Sequence, residues 1–177
     1  MHRRFEPAMD AAAEARRRLQ LDLRQALARG EFEVHYWPIV SALAGLPVGA
    51  EALVRWRHPV RGLVPPGELI SVAEETGLIV PLGEPVLRTA VADALRMPPN
   101  LRVAVNLPAV QVRRGDLLQV VRGALAAAGL PARRLELEIT ESVPMDDGSR
   151  IREILDDVCG PSGSGWHSTT SRPATPR

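Results

Sequence analysis

Aromatic residues are scarce. They make up 3% of the 177 residues, so any core must be built from aliphatic side chains and alanine. Cysteine is nearly absent: the single Cys159 excludes an intrachain disulfide framework and a cysteine-rich zinc site. Neither sign of charge dominates, with 22 basic and 21 acidic residues and a net charge of +1. A broad nucleic-acid footprint needs a clustered excess of Lys and Arg, so this balance argues against a nucleic-acid polymer as partner. No apolar run is long enough to span a bilayer. The opening stretch Met1–Asp10 carries Arg3 and Arg4 with no apolar run behind them, so no signal peptide is expected. These absences fit a cytoplasmic protein. What is present is 45% hydrophobic content, enough for one modest folded domain and too much for wholesale disorder.

The organisation reads as alternating helices and strands. Leu19, Leu23, Ala26 and Leu27 recur at helical spacing within Asp10–Arg29, and Gly30 is a natural stop. The interspersed Arg16, Arg17, Arg18 and Arg24 read as a solvated helix face. Phe32–Val40 and Val48–Trp56 are rich in strand-forming residues, and Gly62–Gly67, with Pro65 and Pro66, reads as a loop. Ser71–Leu95 holds one or two helices, interrupted around Gly77–Pro85. Leu101–Leu107 is a third strand, Asp116–Ala128 a helix ended by Gly129, Leu135–Thr140 a fourth strand, and Gly148–Asp157 the start of another helix. Strands separated by helices imply βα units and a parallel sheet. Cys159–Arg177 is Gly, Ser, Thr, Pro and Arg with almost no apolar period, the composition of a disordered tail.

Side chains alternate faces along a strand, so Glu51, Leu53 and Arg55 share one face while Ala52 and Val54 take the other. Asn106 shares a face with Arg102 and Ala104, and Glu136, Glu138 and Thr140 share one opposite Leu135, Leu137 and Ile139. A lone strand glutamate is usually just solvated, and an asparagine near Pro108 is also a turn former. Repetition over three successive strands is what points to a site. In a (β/α) barrel such a face is the interior, and the strand C-termini hold the active site. Glu51, Asn106 and Glu138 are hard oxygen donors, suited to Mg²⁺ or Mn²⁺ rather than zinc.

Glu51-Ala52-Leu53, followed by Val54-Arg55-Trp56, resembles the signature that names the EAL family of cyclic di-GMP phosphodiesterases. Arg57-His58-Pro59, Gly62-Leu63-Val64 and Ala73-Glu74-Glu75-Thr76-Gly77-Leu78-Ile79 are similar to the sequence that follows it there. Val105-Asn106-Leu107 resembles the family's third-strand motif, and Leu135-Glu136-Leu137-Glu138-Ile139-Thr140-Glu141-Ser142 its fourth. The likeness runs from about Leu19 to Asp157. Phe5-Glu6-Pro7-Ala8-Met9 resembles the junction between a GGDEF (diguanylate cyclase) domain and an EAL domain.

The resemblance implies that Glu51, Asn106 and Glu138 are metal ligands, that Arg55 holds a substrate phosphate, and that Glu141 anchors a mobile active-site loop. It implies a two-metal hydrolysis of cyclic di-GMP to linear pGpG. Two departures stand out: Trp37 occupies the place of a Gln that helps hold substrate, and Pro108 that of a frequent Ser. The family's next strand carries an Asp-Asp-Phe motif whose carboxylates bridge the metals, and a later strand a Lys near the attacking water. Neither is found here. A full barrel takes about 250 residues, so the expected fold is the first half of a TIM-like barrel with an N-terminal helix.

Gly165–Arg177, back-translated with one choice of synonymous codons and read one base back, gives Met-Ala-Leu-Asp-Asp-Phe-Pro-Thr-Gly-Tyr-Ser-Ser. That resembles the missing motif and implies a frameshift near Asp157–Val158. The expected organisation is therefore a linker helix over residues 1–30 that follows a lost GGDEF domain, a partial EAL domain over 31–157, and an out-of-frame tail over 158–177. The expected function is a phosphodiesterase-family fragment with little or no activity and weak or lost cyclic di-GMP binding. The alternative is a non-enzymatic module that binds cyclic di-GMP or a protein. Open sheet edges imply homo-oligomers or aggregation.

Overall fold

The computed structural model describes residues 7–108, 110–111 and 116–139. The expected helix Gly148–Asp157, the tail Cys159–Arg177 and the predicted loop anchor Glu141 lie outside the described residues. The chain begins with helix α1, Pro7–Arg29, and strands β1, Phe32–Val40, and β2, Pro47–His58. A short strand β3, Gly62–Val64, leads into helices α2, Pro66–Glu75, and α3, Ile79–Ala94. Strand β4, Arg102–Leu107, helix α4, Leu117–Ala128, and strand β5, Leu135–Ile139, follow among the described residues.

The sheet order is β1-β2-β4-β5, with β3 paired to β2 off that path. Strands β2, β4 and β5 run parallel, as the βα reading requires. Two expectations are corrected. β1 runs antiparallel to β2, because the connection through Ser41–Leu46 is a tight turn closed by Ser41 N–H to Leu46 O at 2.9 Å. A parallel pair needs a crossover of a dozen residues or more. The expected loop at Gly62–Gly67 contains β3, whose residues pair with Trp56, Arg57 and His58.

Local chemistry explains the helix ends. Pro66 sits in the first turn of α2, where its missing N–H costs nothing, and Glu68 complements the positive end of the helix. The break between α2 and α3 is confined to Thr76–Leu78, and Gly77 takes the left-handed φ of 70° that ends the first helix. Pro85 lies inside α3 rather than in the interruption.

One face of the sheet is sealed by helices. Ala52, Val103, Val105, Leu107, Leu135 and Leu137 pack against Leu87, Ala90, Val91 and Ala94 of α3 and Leu117, Val121 and Leu125 of α4. Trp56 and Val64 pack with Leu19, Leu23 and Ala26 of α1 and Leu69, Val72 and Ala73 of α2. Each fully buried Leu or Val contributes roughly 1.5–3 kcal/mol to folding. Buried Arg134 closes the far end. Its guanidinium donates to the carbonyls of Ala94 at 2.7 Å, Pro98 at 3.0 Å and Leu101 at 2.9 Å. It thereby satisfies acceptors left over at the α3 C-terminus, where a cation is also favoured.

Candidate functional site

The opposite face of the sheet carries the polar residues. Register places Trp37 of β1 across from Glu51 of β2, Glu51 across from Ala104 of β4, and Asn106 across from Glu138 of β5. Paired residues share a face. Glu51, Asn106 and Glu138 therefore stand together on the side away from the helices, all half-buried. The Asn106 side-chain amide donates to Glu51 Oε1 at 2.7 Å, across two strands. That bond spends the Asn106 nitrogen on the carboxylate, so its oxygen Oδ1 is the atom left for a ligand.

Arg55 lies four residues beyond Glu51 along β2, on the same face. It is half-buried, and its guanidinium makes one hydrogen bond among the described residues, to the Val54 carbonyl at 2.9 Å. Its cross-strand partner Glu33 is taken by Arg57, at 2.6 and 3.1 Å, and by His35 at 3.2 Å. Those contacts, Arg57 first, hold the Glu33 carboxyl down to about 2. Arg55 therefore keeps most of its donors for an anion. At the lower end of the face Arg102 approaches Glu136 at 3.8 Å.

Glu51, Asn106 and Glu138 offer only oxygen, the donor chemistry of a hard divalent cation such as Mg²⁺, which keeps several waters of its own. Among the described residues no three His, Cys, Asp or Glu side chains come together, so the set is two carboxylates and one amide. Of the residues expected from sequence, Glu51 and Asn106 are brought into contact, Glu138 and Arg55 share their face, and Glu141 lies outside the described residues. Sequence reading missed the exposure of Trp37, 66%, directly opposite Glu51. The signal was available, since Trp37 alternates in phase with His35 and Glu33.

The EAL domain family matches over residues 20–159. The uncharacterized protein y4lL of Sinorhizobium fredii is 51% identical over 154 residues, 87% of this chain and 19% of that protein. The bifunctional diguanylate cyclase/cyclic di-GMP phosphodiesterase MucR of Pseudomonas aeruginosa is 42% identical over 159 residues, 87% of this chain and 23% of its own length. The chain thus spans about a fifth of these curated relatives. The solved PaMucR phosphodiesterase, in complex with c-di-GMP, superposes with a TM-score of 0.75 at 39% identity. That superposition covers 87% of this chain and 66% of the other, so the half-barrel seen here is part of a larger architecture in that structure.

Proposed function

Since the chain belongs to the EAL domain family, we propose that its polar sheet face is half of a cyclic di-GMP site, and that the 177 residues bind cyclic di-GMP while hydrolysing it to pGpG little or not at all. Arg55 takes a phosphate oxygen through its uncommitted N–H groups. Glu51, Asn106 and Glu138 hold Mg²⁺ or Mn²⁺. When bound, such a cation lowers the pKa of a coordinated water and neutralises charge at phosphorus. The observation that carries the reading is the Asn106–Glu51 hydrogen bond in register with Glu138.

Weak turnover follows from what these residues supply. Three oxygen donors suit one cation, whereas in-line hydrolysis by paired metals needs bridging carboxylates as well. The sequence contains no lysine, so the cation that the family resemblance puts near the attacking water has no counterpart here. Loss of one preorganised electrostatic element costs about 10²–10³ in rate, and two are missing together.

Isothermal titration calorimetry of cyclic di-GMP with Mg²⁺ tests binding, and chromatographic detection of pGpG tests turnover. The expected result is saturable binding, weakened roughly 10- to 100-fold by Arg55→Met through lost charge-assisted hydrogen bonds, with no pGpG above the buffer control. Turnover that Glu51→Ala abolishes would overturn the inactivity, and absence of binding would overturn the site.

A further inference from the structure

We propose that Trp37 is a stacking platform for a purine base of the ligand, beside the carboxylate and amide oxygens that face its phosphates. The proposal rests on the cyclic di-GMP reading and specifies how the base is held.

Trp37 lies on the polar face with 66% of its surface exposed, whereas Trp56, on the helix side of the same hairpin, is fully buried. The indole makes no hydrogen bond or ring contact with any described residue, while Trp56 donates its Nε1 proton to Glu31 at 3.1 Å and meets the rings of Phe32 and His58 at a tilt. A tryptophan left this open is costly to keep in water, since a large aromatic is worth most when it is covered. Its cross-strand partner is the Glu51 carboxylate, which does not suit a dry protein–protein core. Its diagonal neighbours on β2 are Gly49 and Leu53. Gly49 has no side chain, so no side chain at that diagonal position covers the indole.

Directly opposed residues in an antiparallel pair stand about 4.5–5.5 Å apart at Cβ. A group stacked on Trp37 is therefore adjacent to whatever Glu51 and Asn106 hold. A nucleotide meets both demands, because it joins a π face to a phosphate within one molecule. The contact depends on the ring face and not on base-edge hydrogen bonds, so Trp37 supplies affinity rather than discrimination between bases.

The test is cyclic di-GMP titration of the full 177-residue chain and of W37A, W37F and E51Q, read by calorimetry and by tryptophan emission. W37A is expected to bind at least about fivefold more weakly, the lower end for loss of one stacked base. W37F should recover most of that affinity. The emission quench seen on binding to the wild type should disappear in W37F, although Trp56 and Trp166 remain. W37A binding as tightly as the wild type, while E51Q binds more weakly, would overturn the stacking and leave the site reading standing. A quench undiminished in W37F would likewise overturn the stacking. No binding by the wild type would overturn the site reading and the stacking role with it.

Discussion

The two faces of one sheet have opposite fates. On the helix side, Ala52, Trp56, Val103, Val105 and Leu137 are all buried, each against a named helix. On the other side, the residues that alternate with them, Glu51, Arg55, Asn106 and Glu138, stay half-buried and polar, and Trp37 is largely exposed. The backbone is common to both faces, so the difference comes from side chains alone. The closed face holds the fold, and the open face carries the residues proposed to meet ligand.

The comparison breaks most visibly through paired substitutions on β2. Trp56→Ala removes a fully buried indole and its bond to Glu31, and should cost about 3–5 kcal/mol. Glu51→Gln keeps the size of the side chain and an oxygen for Asn106 to donate to, and should change stability by no more than about 0.5 kcal/mol. Urea unfolding followed by far-ultraviolet circular dichroism measures both. Equal losses would show that the open face also holds the fold.

A smaller effect sharpens it. Gly49 stands on the open face, yet a Cβ there would meet the Arg102 carbonyl oxygen at 2.7 Å. That contact is with the backbone of β4, which cannot swing aside. Gly49→Ala should therefore cost about 1–3 kcal/mol, as overpacking does, despite its position on the open face. It should also spread β2 from β4 and lengthen the Asn106–Glu51 bond. An unchanged urea midpoint would place the close approach elsewhere.

The faces themselves were legible in the sequence, because alternation with period two sorts Glu51 from Ala52 and Glu138 from Leu137 without knowledge of the fold. The helices of the closed side were legible for the same reason at period 3.6, as with Leu19, Leu23 and Ala26. Strand direction was not, because alternation is identical in either sense. Only the brevity of Ser41–Leu46 encodes the antiparallel β1. β3 was hidden by its length, three residues that open on a glycine and run into a proline pair. The Arg134 clamp was illegible in principle: nothing local separates Arg134 from the exposed Arg133 beside it, and its acceptors lie 33 to 40 residues away. For the site, residue types and faces were readable, but the Asn106–Glu51 bond depends on the lateral register of β2 and β4, which the sequence does not state.

The finest test uses strand β1, which contributes a titrating group to each face. On the open face Glu33 is partly exposed and held down to about 2 by Arg57 and His35. Its folded value is depressed, so whatever it contributes is present above the ordinary carboxylate value and is lost as the pH falls toward 2. On the closed face Tyr36 is half-buried, and its hydroxyl donates to Asp93 Oδ2 on α3 at 2.7 Å. Burial first, and Asp93 second, push the phenol well above its ordinary range. The sign is opposite to that of Glu33. Tyr36 favours the fold at every pH below the ordinary phenol value of about 10, and that contribution is lost as the pH rises toward the raised folded value. Tyr36 is the single tyrosine of the sequence, so tyrosinate absorbance reports it alone. The native chain should ionise at distinctly higher pH than the urea-unfolded chain. Asp93→Asn should close only part of that gap, because burial is the larger cause. Tyr36→Phe should cost about 0.5–1.5 kcal/mol at neutral pH, the worth of one hydrogen bond, and should flatten the alkaline loss of stability. If native and unfolded chains titrate together, Tyr36 is not covered by α3, and the closed face ends at β2 instead of reaching the β1 edge.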